Sequence, residues 1–455
     1  MNMSATNNTA LNMAAYARRR AAVLQKMHAQ GGGVAIIPTA PEVMRNADAD
    51  YPYRHDSYFY YLTGFGEPEA VLVLIAGERD QAILFCREKN EEREIWDGYR
   101  YGPAAARAAF GFDAAFPVDT IEKELPLLMA NAPALFYALG SSAKLDAQVQ
   151  GWLNAVRLQV RAGVTAPSAA FDVRTILNEM RLVKDADEIA IMRRAADITS
   201  EAHARAMRTS RAGLREYHLE AELLHEFRRN GSQFPAYGSI VAAGANACVL
   251  HYRAGDAELR DGDLVLIDAG CELDSYASDI TRTFPVNGKF SGPQKELYEL
   301  VLASQEAAIA NTGPGKRFTD GHEAALKVLA QGMLDTGLLN RDKVGTLDDV
   351  IANGDYRQFY MHRTGHWLGM DVHDVGDYRD PAVSATEKPW RTLVPGMVLT
   401  VEPGIYVRPA PGVPEQYWNI GIRIEDDALV TATGCDIITH KAPKTVAEIE
   451  AVMHG

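Results

Sequence analysis

One pattern is written twice in this chain. Gly262-Asp-Leu-Val-Leu-Ile-Asp268-Ala-Gly270 and Gly396-Met-Val-Leu-Thr-Val-Glu402-Pro-Gly404 share a glycine, five mostly apolar residues, an acid, one further residue and a glycine. A run this apolar reads as a buried strand, and a buried strand that ends in a carboxylate needs a cation to meet it. Each copy is followed by a second acid-bearing run, ending at Asp279 in the first case and at Glu425 in the second. A turn at Leu273-Asp274 would set Asp268 directly opposite Asp279, roughly 4.5–5.5 Å away, where two unneutralised carboxylates repel. Four acids from two like halves then converge. One divalent cation leaves such a cluster about two charges short and two balance it, so the pattern predicts a dinuclear metal site.

The remainder of the 455 residues frames that site. Strand-like runs at Val34–Pro38, Ala70–Ala76 and Ala82–Cys86 interleave with helical stretches at Leu11–Ala29, Ala104–Ala109 and Thr120–Ala130, after a loose tail over 1–10. This alternation predicts an α/β N-terminal domain over residues 1–170, with a turn-rich boundary at Ala166–Ala170. Holding no clustered His, Cys and acid set of its own, that domain reads as structural or regulatory in role. Residues 171–455 predict an α+β domain with an internal pseudo-twofold repeat. It opens on a capping box, Asp185 to Glu188, before a long helix with Ile189, Met192, Ala196, Thr199 and His203 on one face. Helices at Glu216–Arg229, Gln294–Ala310 and Glu323–Asp335 complete the design, helix pair then β-run, twice. Gly31-Gly32-Gly33 and Gly313-Pro-Gly-Lys316 lack the spacing of a phosphate loop and read as turns.

A net charge of −14 disfavours nucleic acid or an anionic membrane as partner and leaves small peptides or metabolites. Cys86, Cys248, Cys271 and Cys435 form no C-x-x-C pair and no disulfide framework. The first 20 residues lack the apolar core of a secretory signal, and no apolar run approaches the roughly 20 residues of a membrane span. A reducing cytoplasm fits these features best.

Between the two acid pairs lie His362, His366 and His373, three of the 12 histidines in the chain. Gly365 and Gly369 weaken a helical reading of this stretch, so it is not the zinc-protease HExxH arrangement. Any one of these histidines alone would pass as an ordinary core or surface residue. Beside four positioned acids they read as ligands and substrate contacts.

The runs His251-Tyr252, Asp263 to Cys271, Ser278-Asp279-Ile-Thr-Arg-Thr-Phe-Pro285, His366-Trp-Leu-Gly-Met-Asp-Val-His373-Asp, Glu402-Pro-Gly and Gly421-Ile-Arg-Ile-Glu425-Asp-Asp resemble the pita-bread metallopeptidases. Among these they are most similar to the aminopeptidase P (Xaa-Pro aminopeptidase) family. Asp50-Tyr-Pro-Tyr-Arg54, Tyr61 to Ala70 and Glu94-Ile-Trp96 extend the likeness through the N-terminal half. The resemblance implies a pita-bread catalytic domain in which Asp268, Asp279, His366, Glu402 and Glu425 hold two metal ions, commonly manganese. It further implies that His251, His362, His373 and Arg423 line the substrate site; no residue between 376 and 391 is carried over. An oxygen-rich set with one imidazole suits a harder divalent ion such as Mn²⁺, with Zn²⁺, Co²⁺ and Fe²⁺ left as alternatives, and two such ions generate hydroxide from a shared water near pH 7. Glu402 then shuttles the proton, His362 and His373 steady the oxyanion, and Asp268 with a metal meets the free amino terminus.

Specificity for proline implies a flat apolar wall, for which Trp96, His362 and Tyr406 qualify. Trp96 lies in the N-terminal domain and is expected to reach the site from a neighbouring subunit, as in tetrameric relatives, which makes a homo-oligomer, dimer or tetramer. The implied activity is hydrolysis of the N-terminal Xaa-Pro bond of small proline-containing peptides. The alternatives are a prolidase, which takes the Xaa-Pro dipeptide, and a pita-bread binding module without catalysis. The latter class loses ligands first, and all five are present here.

Overall fold

The computed structural model describes residues 13–380 and 387–455, so the predicted tail over 1–10 lies outside it. The chain divides into two compact units, Met1–Met180 and Arg181–Gly455.

In the first unit a six-stranded sheet runs in the order β4-β3-β2-β1-β5-β6. The strands are β1 (Gly33–Pro38), β2 (Val71–Ala76), β3 (Gln81–Cys86), β4 (Ala114–Pro117), β5 (Ala134–Tyr137) and β6 (Ala169–Asp172). The β1-β2 and β2-β3 pairs are antiparallel and the rest parallel. Central β1 is almost wholly buried, as its continuous apolar run requires. Its helices include α1 (Met13–His28), α2 (Glu91–Asp97), α3 (Gly102–Phe110), α4 (Ile121–Met129) and α5 (Ala143–Arg157). Leu125 and Met129 of α4, with Val149 and Trp152 of α5, close the core over Val34, Ile36 and Phe85. The unit extends past the expected boundary at 170, because Ala169–Asp172 pairs alongside β5 as the last strand of this sheet.

The second unit opens on α6 (Ala186–Thr209), whose N-terminus carries the expected reciprocal Asp185–Glu188 capping box. It continues with α7 (Glu216–Arg229), α8 (Gly292–Ala310) and α9 (Phe318–Asp335). Met192, Ala196, Thr199 and His203 are buried on α6 as predicted, while Ile189 is half-buried. The helix pairs α6/α7 and α8/α9 each precede one acid-bearing β-hairpin, and this is the internal repeat.

The first hairpin comprises β7 (Ile240–Ala243) on its flank, β8 (Leu264–Ala269), β9 (Cys271–Leu273), β10 (Tyr276–Ala277) and β11 (Ile280–Pro285). Its turn is Asp274-Ser275, not Leu273-Asp274. Both residues take left-handed φ values of 48° and 71°, the geometry that matches the twist of a two-residue hairpin, while Leu273 is spent as a buried strand residue opposite Tyr276. The register therefore moves by two. Asp268 pairs with Thr281, and Asp279 stands opposite Gly270, where the ladder is interrupted. The two acids are diagonal neighbours rather than directly opposed. Only glycine fits at 270, since a Cβ there would lie 1.6 Å from the Ser278 carbonyl oxygen.

The second hairpin repeats the device with β12 (Val398–Val401), β13 (Gly404–Val407), β14 (Ile420–Arg423) and β15 (Asp426–Val430). Register is kept on either side of an interruption in which Glu402-Pro403 faces Ile424-Glu425. A bridge between Thr281 and Glu425 joins the two hairpins, with the Glu425 amide donating to the Thr281 carbonyl at 3.1 Å.

Candidate metal centre and active site

Three of the four acids sit where a strand ladder breaks, and the fourth, Asp268, stands next to such a break. The fifth expected ligand arrives on a segment that lies along β12. The Glu402 amide donates to the Thr364 carbonyl at 2.8 Å and the Thr400 amide to that of His366 at 2.9 Å. Gly365 permits this approach, since a Cβ there would meet the Thr400 carbonyl oxygen at 2.1 Å. The His366 Nδ1–H donates to the Trp367 carbonyl at 3.0 Å, which fixes the tautomer and aims Nε2 at the acids. That nitrogen is 3.4 Å from Asp279 Oδ2 and 3.7 Å from Glu402 Oε1. Asp279, His366 and Glu425 each place a ligand atom within 4.8 Å of the others.

Asp268 is held at the edge of this group. It accepts hydrogen bonds from Arg423 Nη2 at 2.5 Å and from the Tyr237 hydroxyl at 2.6 Å. The Tyr237 hydroxyl also meets Asp279, and the Thr281 hydroxyl donates to Glu425 at 2.6 Å. Neither residue was among the expected ones. Tyr237 stands alone between short breaks in the pattern, and Thr281 is visible only once the register is known.

The cluster is electrostatically unfinished. Burial, with Asp279 and Glu402 adding, pushes Glu425 well above the usual carboxylate range, and burial with Asp268 raises Asp279. Burial brings Glu402 up to about 7, with Asp279 and Asp268 adding and His366 and Arg423 opposing. Burial alone would lower His366, but its hydrogen bond to Asp279 and the charges of Asp279 and Glu402 carry it up to about 9. One guanidinium, that of Arg423, serves four carboxylates, of which Asp279 and Glu425 are buried and Asp268 and Glu402 partly so, and protons on the raised acids make up the deficit. Hard oxygen donors beside one oriented imidazole, starved of positive charge, fit divalent cations.

A cavity of about 570 Å³ opens onto the cluster and is lined by all five of these residues together with His251, His362, His373 and Arg423. Tyr406 lies behind it, accepting from Arg423 Nη1 at 2.9 Å and facing His362 Nε2 at 2.8 Å. The other His362 nitrogen, Nδ1, donates to the Arg363 carbonyl at 2.7 Å, so both ring nitrogens are engaged. Burial and Arg423 keep that ring neutral, down to about 4. His373 stands edge-on to His366 with ring centroids 4.3 Å apart. The loop carrying His251 is tied down next door, where buried Glu216 accepts from the Tyr252 hydroxyl at 2.9 Å and the Gly255 amide at 3.1 Å. Trp96, the remaining expected residue, is on α2 of the first unit and 79% exposed.

Residues 190–432 match the model of metallopeptidase family M24, and residues 16–137 match that of the aminopeptidase P N-terminal domain. The chain belongs to metallopeptidase family M24. Within it, the chain is 46% identical to Xaa-Pro aminopeptidase of Escherichia coli over 440 residues, 96% of this chain and 97% of that protein. It is 43% identical to the Xaa-Pro aminopeptidase of Haemophilus influenzae, again over 440 residues, 96% of this chain and 97% of that one. The structure of aminopeptidase PepP from Pseudomonas aeruginosa superposes with a TM-score of 0.94 at 49% identity, covering 98% of this chain and 99% of the other. A zinc-substituted E. coli aminopeptidase P in complex with product aligns with a TM-score of 0.92 at 45% identity, covering 98% of each chain. The M24 member described here is thus a metallopeptidase with the α/β N-terminal and pita-bread catalytic architecture of the aminopeptidase P family. Among its described residues no helix is long and apolar enough to cross a membrane.

Proposed function

We propose that this chain is an Xaa-Pro aminopeptidase, releasing the first residue of peptides with proline second. The observation that carries the reading is the convergence of Asp279, His366 and Glu425 within ligand distance, beside Glu402 and Asp268, in a cavity of about 570 Å³. Those five residues would hold two divalent ions, Mn²⁺ by the character of the donors. When bound, the ions supply a water of lowered pKa and positive charge for the scissile carbonyl oxygen. Glu402, partly buried with Oε1 3.7 Å from His366 Nε2, would take a proton from that water and deliver it to the leaving proline nitrogen. Asp268 draws in the amino terminus of the peptide. His373, whose ring has no hydrogen-bond partner among the described residues, is placed to donate to the oxyanion. The engaged ring of His362, with Tyr406 behind it, serves better as a wall for proline than as a donor.

Trp96 and its exposed neighbour Ile95 fit a role in a homo-oligomer, where a second copy would cover them and Trp96 would reach that copy's site. A cytoplasmic setting fits the four unpaired cysteines. The test is hydrolysis of Xaa-Pro-Xaa and of Xaa-Pro at equal concentration with Mn²⁺ present. Faster release of the first residue from the tripeptide is expected, and the reverse order makes the protein a prolidase.

A further inference from the structure

The cavity carries cations that the metal centre does not use. Arg423 is committed to Asp268 and Tyr406. Arg253 and Arg363 also line the cavity, and neither makes an ion pair among the described residues. Arg363 is the better placed of the two. It follows His362 directly, and its carbonyl accepts from the His362 ring at 2.7 Å, so its backbone is fixed to a wall of the cavity. Its guanidinium lies 4.9 Å from the centroid of half-buried Trp390. Arg379 lies 3.6 Å from the same centroid and donates to the Lys388 carbonyl at 2.9 Å. Trp390 is in turn held by pairing of the backbone on either side, with Arg379 bridged to Trp390 and the Arg391 amide donating to the Tyr378 carbonyl at 3.0 Å. Cation–π contact orients the Arg363 guanidinium without neutralising it.

The charges of the cavity give a bound peptide a direction. Its ammonium end is drawn to the acids, the bond to be cut lies at the centre, and chain continuing beyond proline leaves past His362. The next side chain along that wall is Arg363. We propose that Arg363 is a specificity-determining residue that binds the carboxylate of the residue following proline, taking the free C-terminus of a tripeptide in a two-pronged contact. The inference rests on the Xaa-Pro aminopeptidase reading and adds a preference within it. In a tripeptide this carboxylate lies one residue beyond that of a dipeptide, roughly 3.3–3.6 Å further out along an extended chain, which favours the tripeptide.

The experiment compares a Xaa-Pro-Xaa tripeptide as free acid and as C-terminal amide, with Mn²⁺ present, for the native protein, R363A, R363Q and R363K. In the native protein the amide has a KM roughly three- to fivefold higher, the size of a partly exposed charge pair. The kcat values match, because the contact is remote from the reacting atoms, and the difference shrinks as salt is raised. R363A and R363Q bring the amide-to-acid KM ratio to about one, and R363K retains part of it. A ratio of one in the native protein overturns the inference whatever the variants do, and so does an unchanged ratio in R363A. Equal cleavage of acid and amide leaves the aminopeptidase reading standing and removes only Arg363. Cleavage of neither peptide removes both.

Discussion

Glu425 and Asp426 are consecutive, both buried, and treated in opposite ways. Successive side chains of a strand point to opposite faces, and here the two faces differ in their cations. Asp426 receives Arg282 Nη2 at 2.7 Å, Lys444 Nζ at 2.9 Å and the Thr439 hydroxyl at 2.8 Å. Although burial opposes it, Arg282 and Lys444 hold its carboxyl below the usual range. Glu425 receives one hydroxyl, that of Thr281, and otherwise faces Asp279 and Glu402. At Asp426 the chain supplies the counter-charge itself. On Glu425's side the chain withholds it, and on the function proposed above the deficit is left for metal ions.

Removing that deficit's remedy should have the largest effect. Glu425→Ala or Asp279→Ala, or chelation of the native protein, forfeits several kcal/mol of charge stabilisation, at least about 10³-fold in rate. Xaa-Pro-Xaa hydrolysis alongside elemental analysis checks this. Full activity in either variant would erase the contrast between the two faces.

On the other face the loss is of stability. Asp426→Asn leaves the Arg282 charge buried without its partner and should cost about 3–5 kcal/mol, read as a lowered melting transition of the second unit. Glu425→Gln in metal-stripped protein should melt no lower than its parent, because burial and the neighbouring acids already hold that carboxyl in its neutral form. If both variants melt alike, the two faces are not different in kind.

Titration sharpens the same contrast. His366 is raised from 6.5 to about 9 and Glu402 from 4.5 to about 7, so the folded metal-free state holds these protons more tightly than the unfolded chain. Their contributions are complete below the unfolded values and vanish as pH rises through about 9 and about 7. Metal-stripped protein should therefore lose on the order of 3 kcal/mol between about pH 6.5 and 9. Metal-loaded protein, with those protons displaced, should show a flatter profile in thermal melts across the window. Asp426, with its pKa depressed, contributes in the opposite sense and only in acid.

The smallest effect is expected at Cys271, beside the site in sequence but not in it. Its buried thiol, pushed up to about 12 by burial, donates to the Ala195 carbonyl at 3.4 Å. Cys271→Ala should cost about 1 kcal/mol of stability while kcat and KM for Xaa-Pro-Xaa stay within about twofold.

The acids were legible because a buried strand that ends in a carboxylate is an anomaly that sequence displays directly. Their register was not, because Asp274-Ser275 carries no glycine to mark a turn and two left-handed residues leave no compositional trace. Helix α9 begins at Phe318, ahead of the expected Glu323, since the Asp320 side chain accepts from the Arg317 amide at 2.9 Å and starts it earlier. His203 declared its buried face through helical spacing. Tyr237, which ties Asp268 to Asp279, belongs to no periodic run, and only the folded chain shows its purpose.

The central claim, that the inward acids are neutralised by divalent ions and not by the protein, is tested most directly by titrating metal-stripped protein with Mn²⁺ near pH 7. Bound metal, released protons and Xaa-Pro-Xaa cleavage are followed together. The account predicts about two equivalents bound per chain, protons released as they bind, and cleavage rising with occupancy. Cleavage at full rate before any metal is added, or metal bound with no proton released, would contradict it.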